Sequence, residues 1–178
     1  MLTKVFLDGG HQQMTKDKCV LVKRNSGKVS YCAITVDVCF FVTTRDEEWI
    51  KGVTTMLEDA FEELTLGRGD KISILGMTAY MDRNAKRAIV NQKRFVDKLA
   101  ETYEIITKTA VTPANADVLY EREDSKLLDD QRKFMSLNAS LMYASKRTYP
   151  EVSFPVVYLA SRYNKATEDD YGKAMRVA

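Results

Sequence analysis

Between Val29 and Thr43 the chain reads VSYCAITVDVCFFVT, two apolar and β-branched arms around one charged residue, Asp37. Val29, Tyr31, Ala33, Ile34 and Val36 form the first arm, and Val38, Cys39, Phe40, Phe41 and Val42 the returning one. Arms this apolar belong to a hairpin inside a covered sheet, so the remaining elements have to pack around it. A carboxylate within such a run costs several kcal/mol to desolvate unless it meets water, a hydrogen-bond donor or a metal. A turn that reaches solvent at Asp37 satisfies the first of these conditions, and the residues alone leave the other two open.

The flanking segments supply those elements. Leu2 to Leu7 predicts a short helix stopped by Gly9-Gly10, with His11 just beyond it as a surface residue. A strand at Cys19 to Lys23 and a turn at Asn25-Ser26-Gly27 lead into the hairpin. After it, Thr44-Arg45-Asp46-Glu47 is a capping box opening a helix. Its core stripe runs through Trp49, Ile50, Val53, Met56, Leu57, Ala60, Phe61 and Leu64. Gly67 and Gly69 end that helix, and Lys71 to Tyr80 reads as one strand with Gly76 as an internal bulge. A turn at Asp82-Arg83-Asn84, a strand at Arg87 to Val90 and a helix with Phe95, Val96, Leu99 and Tyr103 inward follow. This order predicts an α+β fold with a mainly antiparallel sheet and packed helices.

The remainder is helical in pattern. Asp129 to Ser145 carries Phe134, Leu137, Leu141 and Met142 at helical spacing, and Tyr149-Pro150 breaks it. Pro150 suits the first turn of a new helix with Phe154, Val157, Tyr158 and Ser161 along one face, while Pro155 calls for a kink or a later start. Thr167 caps a last helix with Asp170 near its amino end.

With 178 residues and 45% apolar content the chain buries a real core. Its formal charge of +2 neither requires nor excludes a nucleic-acid partner, since binding depends on where Lys and Arg cluster. No apolar run is long enough to span a membrane, and the N-terminus lacks the pattern of a secretory signal. Cys19, Cys32 and Cys39 are odd in number and lie in predicted strands, which reads as buried thiols in an intracellular, reducing compartment.

Thr35-Val36-Asp37-Val38 followed by Cys39-Phe40-Phe41-Val42 resembles the polymerase hairpin of copia-like (Pseudoviridae) retrotransposon reverse transcriptases, written aromatic-Val-Asp-Asp and then an apolar strand. The resemblance continues in register. Cys19 to Lys23 is similar to the strand before that hairpin, Leu75-Gly76-Met77 to the Leu-Gly-Ile strand, and Asn91 to Val96 to the Gln-Lys-x-Tyr-Ile helix start. Leu141 to Phe154, LMYASKRTYPEVSF, is similar to the block Leu-x-Tyr-x-x-x-x-Thr-Arg-Pro-Asp-Ile-x-Phe, and Ser161-Arg162-Tyr163 and Thr167 to Tyr171 follow in order.

The resemblance implies a partial palm over residues 1–108, a linker over 109–128 and a helical thumb or connection region over 129–178. The family's acids hold catalytic magnesium. Here Asp37 matches the first acid of the doublet, Val38 replaces the second and Thr35 replaces the aromatic residue. The family's third acid and fingers would lie upstream of Met1 and its RNase H domain beyond Ala178. Two metals held about 4 Å apart need several carboxylates. A single vestigial Asp37 therefore implies no polymerase activity from this chain alone, no cofactor, and Mg2+ only if it is active. Three functions follow: a non-catalytic structural or interaction subunit of a larger assembly, a nucleic-acid-binding module, or a fragment of an active enzyme completed by another chain. Valine at 38 opposes the last. A protein partner is expected, and no small-molecule substrate. For nucleic acid the candidate contacts are Lys23, Arg24, Arg83, Lys86, Arg87, Lys93 and Arg94, with Lys16, Lys18 and Lys28 beside the first two and Lys146, Arg147, Arg162 and Lys165 in the helical part.

Overall fold

The computed structural model describes residues 1–36, 38–43, 47–105 and 111–178. The fold is α+β, and the chain divides into two compact units, Met1–Gly67 and Arg68–Ala178, each with its own core.

In the first unit α1 (Leu2–Asp8) is followed by β1 (Gln12–Gln13), β2 (Val20–Asn25), β3 (Lys28–Thr35), β4 (Val38–Thr43) and α2 (Glu47–Glu58). The four strands form one antiparallel sheet in chain order. Ser26 and Gly27, at φ 46° and 80°, make the two-residue turn between β2 and β3, because two positive φ values give a turn whose twist matches the strands. Leu21, Cys32 and Phe41 stand opposite one another and so share a face. That face meets Phe6 of α1 and Val53 and Leu57 of α2, with Ile34, Cys39, Trp49, Met56 and Phe61 around them. Phe6 is fully buried, which contributes roughly 2–3 kcal/mol on its own.

Two expectations change here. The helix stops at Glu58 instead of running to Leu64; Phe61 still reaches the core from the irregular segment beyond, while Leu64 is exposed. His11 is not a surface residue but is 3% exposed. Gly10, at φ 83°, turns the chain back along α1, and the His11 ring meets Phe6 edge-on at 5.2 Å and Trp49 at 6.2 Å. The expected cap residue Thr44 lies outside the described residues.

The second unit holds a separate three-stranded antiparallel sheet of β5 (Lys71–Ile74), β6 (Met77–Asp82) and β7 (Arg87–Asn91), so the strands form two sheets where the sequence reading has one. Lys71 to Tyr80 is a hairpin instead of one bulged strand. Leu75 and Gly76, at φ 48° and 71°, form its turn between the paired Ile74 and Met77. Then come α3 (Lys93–Thr102), α4 (Gln131–Ser145), α5 (Ser153–Ala160) and α6 (Glu168–Val177). Leu99, Phe134, Leu137, Leu141, Val156, Leu159 and Ala174 make the core between the helices. Helix α5 starts late, after a single 3-10 turn at Pro150–Val152, so Pro155 falls in its first turn, where a missing N–H breaks no helical bond. It buries Pro155, Val156 and Leu159; Phe154 and Val157 of the expected stripe point outward.

From Ala116 onward the segment read as a linker is tied to the helices. Ala116–Leu119 forms a 3-10 turn, the Tyr158 hydroxyl donates to the Leu119 carbonyl at 2.9 Å, and Leu127 bridges Thr167. Among the described residues no helix is long and apolar enough to cross a membrane.

Candidate functional site

Strands β3 and β4 close on the pair Thr35 and Val38, leaving two positions between them. Val36 occupies the first at φ 56° with 90% of its surface exposed. A β-branched residue in the left-handed region is strained by roughly 1–2 kcal/mol, and the two-residue turn between paired strands is what calls for that φ. Asp37 occupies the second and lies outside the described residues. Val38 opens β4, 38% exposed, and can ligate nothing. It shares the outward face of the sheet with Tyr31, Phe40 and Val42; Tyr31 and Val42 are also exposed and Phe40 is half-buried.

Behind this face the inner side of the hairpin carries two thiols. Cys32, almost wholly buried, and the half-buried Cys39 are diagonal neighbours there. Cys39 beside it, reinforced by burial, pushes the Cys32 thiol up, while Cys32 draws the Cys39 thiol down against the effect of burial. His11, at the far side of the same core, is held below its ordinary value by burial and by the Lys23 charge, against a hydrogen bond from its Nδ1 to the Phe6 carbonyl at 3.2 Å.

The candidate basic residues fall in both units. Lys23 is committed inward, its Nζ donating to the Gly9 carbonyl at 2.8 Å, and Arg24 is exposed one residue on. In the second unit Arg83 pairs with Asp70 at 2.6 Å and Arg87 with Asp82 at 3.8 Å, both exposed. Lys93 pairs with Asp97 at 2.8 Å, and that carboxylate raises its pKa. Lys86 and Arg94 make no ion pair among the described residues. Arg83, Lys86 and Arg87 sit at one end of β7 and Lys93 and Arg94 at the other, a strand of five residues or roughly 17 Å apart.

Three side-chain groups in the second unit take up residues of its helical part. Arg147 lies over the Tyr143 ring at 5.6 Å, Phe95 packs against the same ring at 5.1 Å, and the Tyr143 hydroxyl donates to the Leu75 carbonyl. The Thr148 hydroxyl donates to the buried Gln92 side chain at 2.8 Å, tying the start of α3 to the segment after α4. Arg162 is 5% exposed and is held by Asp170 at 3.2 Å and by Glu121, which makes it a structural cation with no face free for phosphate. Among the described residues no group of three or more His, Cys, Asp or Glu side chains is placed to hold a metal ion. No family model, no curated protein and no solved structure matches the chain.

Proposed function

We propose that this chain is a palm and thumb remnant of a copia-like reverse transcriptase, without polymerase activity of its own, serving as a structural or interaction subunit of a larger assembly in a reducing intracellular compartment. The observation that carries the reading is the turn at Val36. Val36, at φ 56° and 90% exposed, opens the two-residue turn between β3 and β4, where a tight hairpin requires a positive φ, and the next residue in sequence is the acid that the resemblance aligns with the family's first catalytic acid. The chemistry around that neighbour is deficient: Val38 offers no oxygen where the resemblance places the second acid, and in-line nucleotidyl transfer needs charge held on both attacking and leaving oxygens. The outward apolar face of Tyr31, Val38 and Val42 supports the partner half of the reading.

The test is primer extension on an RNA template with Mg2+, comparing the chain with an Asp37→Asn variant. No extension from either is expected; extension that depends on Asp37 overturns the reading. Light scattering of the chain in the presence of extract-purified assemblies addresses the subunit role, and a monodisperse, partnerless monomer throughout removes it.

A second reading, a nucleic-acid-binding module, is favoured by Lys86 and Arg94, which make no ion pair among the described residues, and by the Arg147–Tyr143 stack, whose ring and cation both suit a nucleic acid. It requires affinity for an RNA–DNA hybrid that falls steeply as salt rises.

A further inference from the structure

We propose that Cys32 and Cys39 form a dithiol modification site, closed to an intramolecular disulfide by exchange with a small oxidised disulfide of the glutathione class. The register places them. Cys32 stands opposite Phe41 and Cys39 opposite Ile34, so both thiols lie on the inner face of adjacent strands as diagonal neighbours. They pack in the same core cluster. Their exposure is unequal in the sense an exchange reaction needs: Cys39 is half-buried and reachable, whereas Cys32 is 1% exposed and reachable only through Cys39. Cys19, the third thiol, is exposed in the turn just before β2 and serves as an internal control.

The exchange balances in two steps. The Cys39 sulfur, having given up its proton, attacks one sulfur of oxidised glutathione; that S–S bond breaks and one glutathione leaves as a thiolate, which takes up a proton. The Cys32 sulfur then gives up its proton and attacks the Cys39 sulfur in the mixed disulfide, expelling the second glutathione, which is protonated in turn. Two protein thiols are oxidised by two electrons, and one glutathione disulfide becomes two glutathione thiols. Diagonal neighbours lie about 7–8 Å apart at Cα, just beyond the roughly 4.4–6.8 Å a disulfide spans. Closure therefore requires the β3–β4 hairpin to twist further. A bond made against that resistance is of the easily reduced, reversible kind.

The sequence makes the test direct, because trypsin leaves both thiols in one peptide, residues 29–45, and Cys19 in another, residues 19–23. The native protein is equilibrated in buffers of rising oxidised-to-reduced glutathione ratio, quenched in acid, alkylated, digested and weighed. The expected result is a 29–45 peptide that escapes alkylation and is lighter than its reduced form by about 2 Da, the two hydrogens lost in a two-electron oxidation. It should revert in reduced glutathione, while the 19–23 peptide is alkylated or carries glutathione. A 29–45 peptide alkylated twice at every ratio overturns the proposal, as does one holding glutathione stably on Cys39, or a link that forms only after the protein is unfolded in urea. In Cys39→Ser the lighter peptide should vanish and Cys32 should resist alkylation in the native state; should that variant not fold, the wild-type peptide map decides alone.

Discussion

His11 shows what a single buried side chain does to the first unit. Its ring sits among Phe6, Trp49 and the residues beneath them, Nδ1 donates to the Phe6 carbonyl, and Nε2 has no hydrogen-bond partner among the described residues. Protonation would place a charge in that apolar setting beside Lys23, so the folded-state pKa lies below the unfolded value of 6.5. Between those two values the unfolded chain binds more protons than the folded one. The contribution of His11 is therefore fully present above pH 6.5 and is lost as pH falls through 6.5 toward the folded pKa. Urea unfolding followed by the fluorescence of Trp49, the single tryptophan, should show a lower midpoint at pH 5.5 than at pH 7.5. His11→Phe should flatten that difference; equal pH dependence in the two proteins would assign the effect elsewhere. The sequence could not show this burial, because a histidine after a Gly-Gly turn is local information, whereas the cavity that receives it is made by α1, β4 and α2 together.

At the scale of elements, the last helix carries the clearest wager. Thr167 and Asp170 form a reciprocal capping box at the start of α6, readable in the sequence from the position of the threonine and the acid three residues on. What the sequence did not reveal is that the same Asp170 is 2% exposed and also receives the buried Arg162. The two roles separate by substitution. Thr167→Ala removes one cap and should lower stability by about 1 kcal/mol. Asp170→Ala removes the cap and strands a buried guanidinium, which should cost about 3–5 kcal/mol. Chemical denaturation of the two variants measures both, and equal losses would mean that solvent or Glu121 already neutralises Arg162. Periodicity and caps made the hairpin, the core stripes of α2 and α4 and the start of α6 legible, because those signals are local. The end of α2 was not: Phe61 keeps the helical spacing yet packs from irregular chain. Nor was the β5–β6 turn, since Leu75 at positive φ carries no signal of its own and Gly76 suits a bulge as well as a turn. For the basic residues the pairing was not readable, because ion pairs such as Arg83–Asp70 join residues that only the folded β5–β6 hairpin brings together.

For the molecule as a whole, the division after Gly67 separates two cores that share no residue. The first is closed by α1, the four-stranded sheet and α2; the second by the helices that follow the smaller sheet. Between them residues 62–70 carry no regular structure except the approach to β5, and every one is exposed. Chain with exposed backbone between two self-contained cores transmits little folding cooperativity, so the two units should unfold as separate transitions. Trp49 lies in the first unit and reports it alone. Circular dichroism of the full chain in urea should thus show a second, helix-rich transition to which tryptophan fluorescence is blind. Produced separately, residues 1–67 and 68–178 should each unfold cooperatively near the midpoints they show in the full chain. A shorter first fragment with no cooperative transition would mean that its small core relies on the second unit, and the pH dependence assigned to His11 would then have to be sought in the stability of the entire chain.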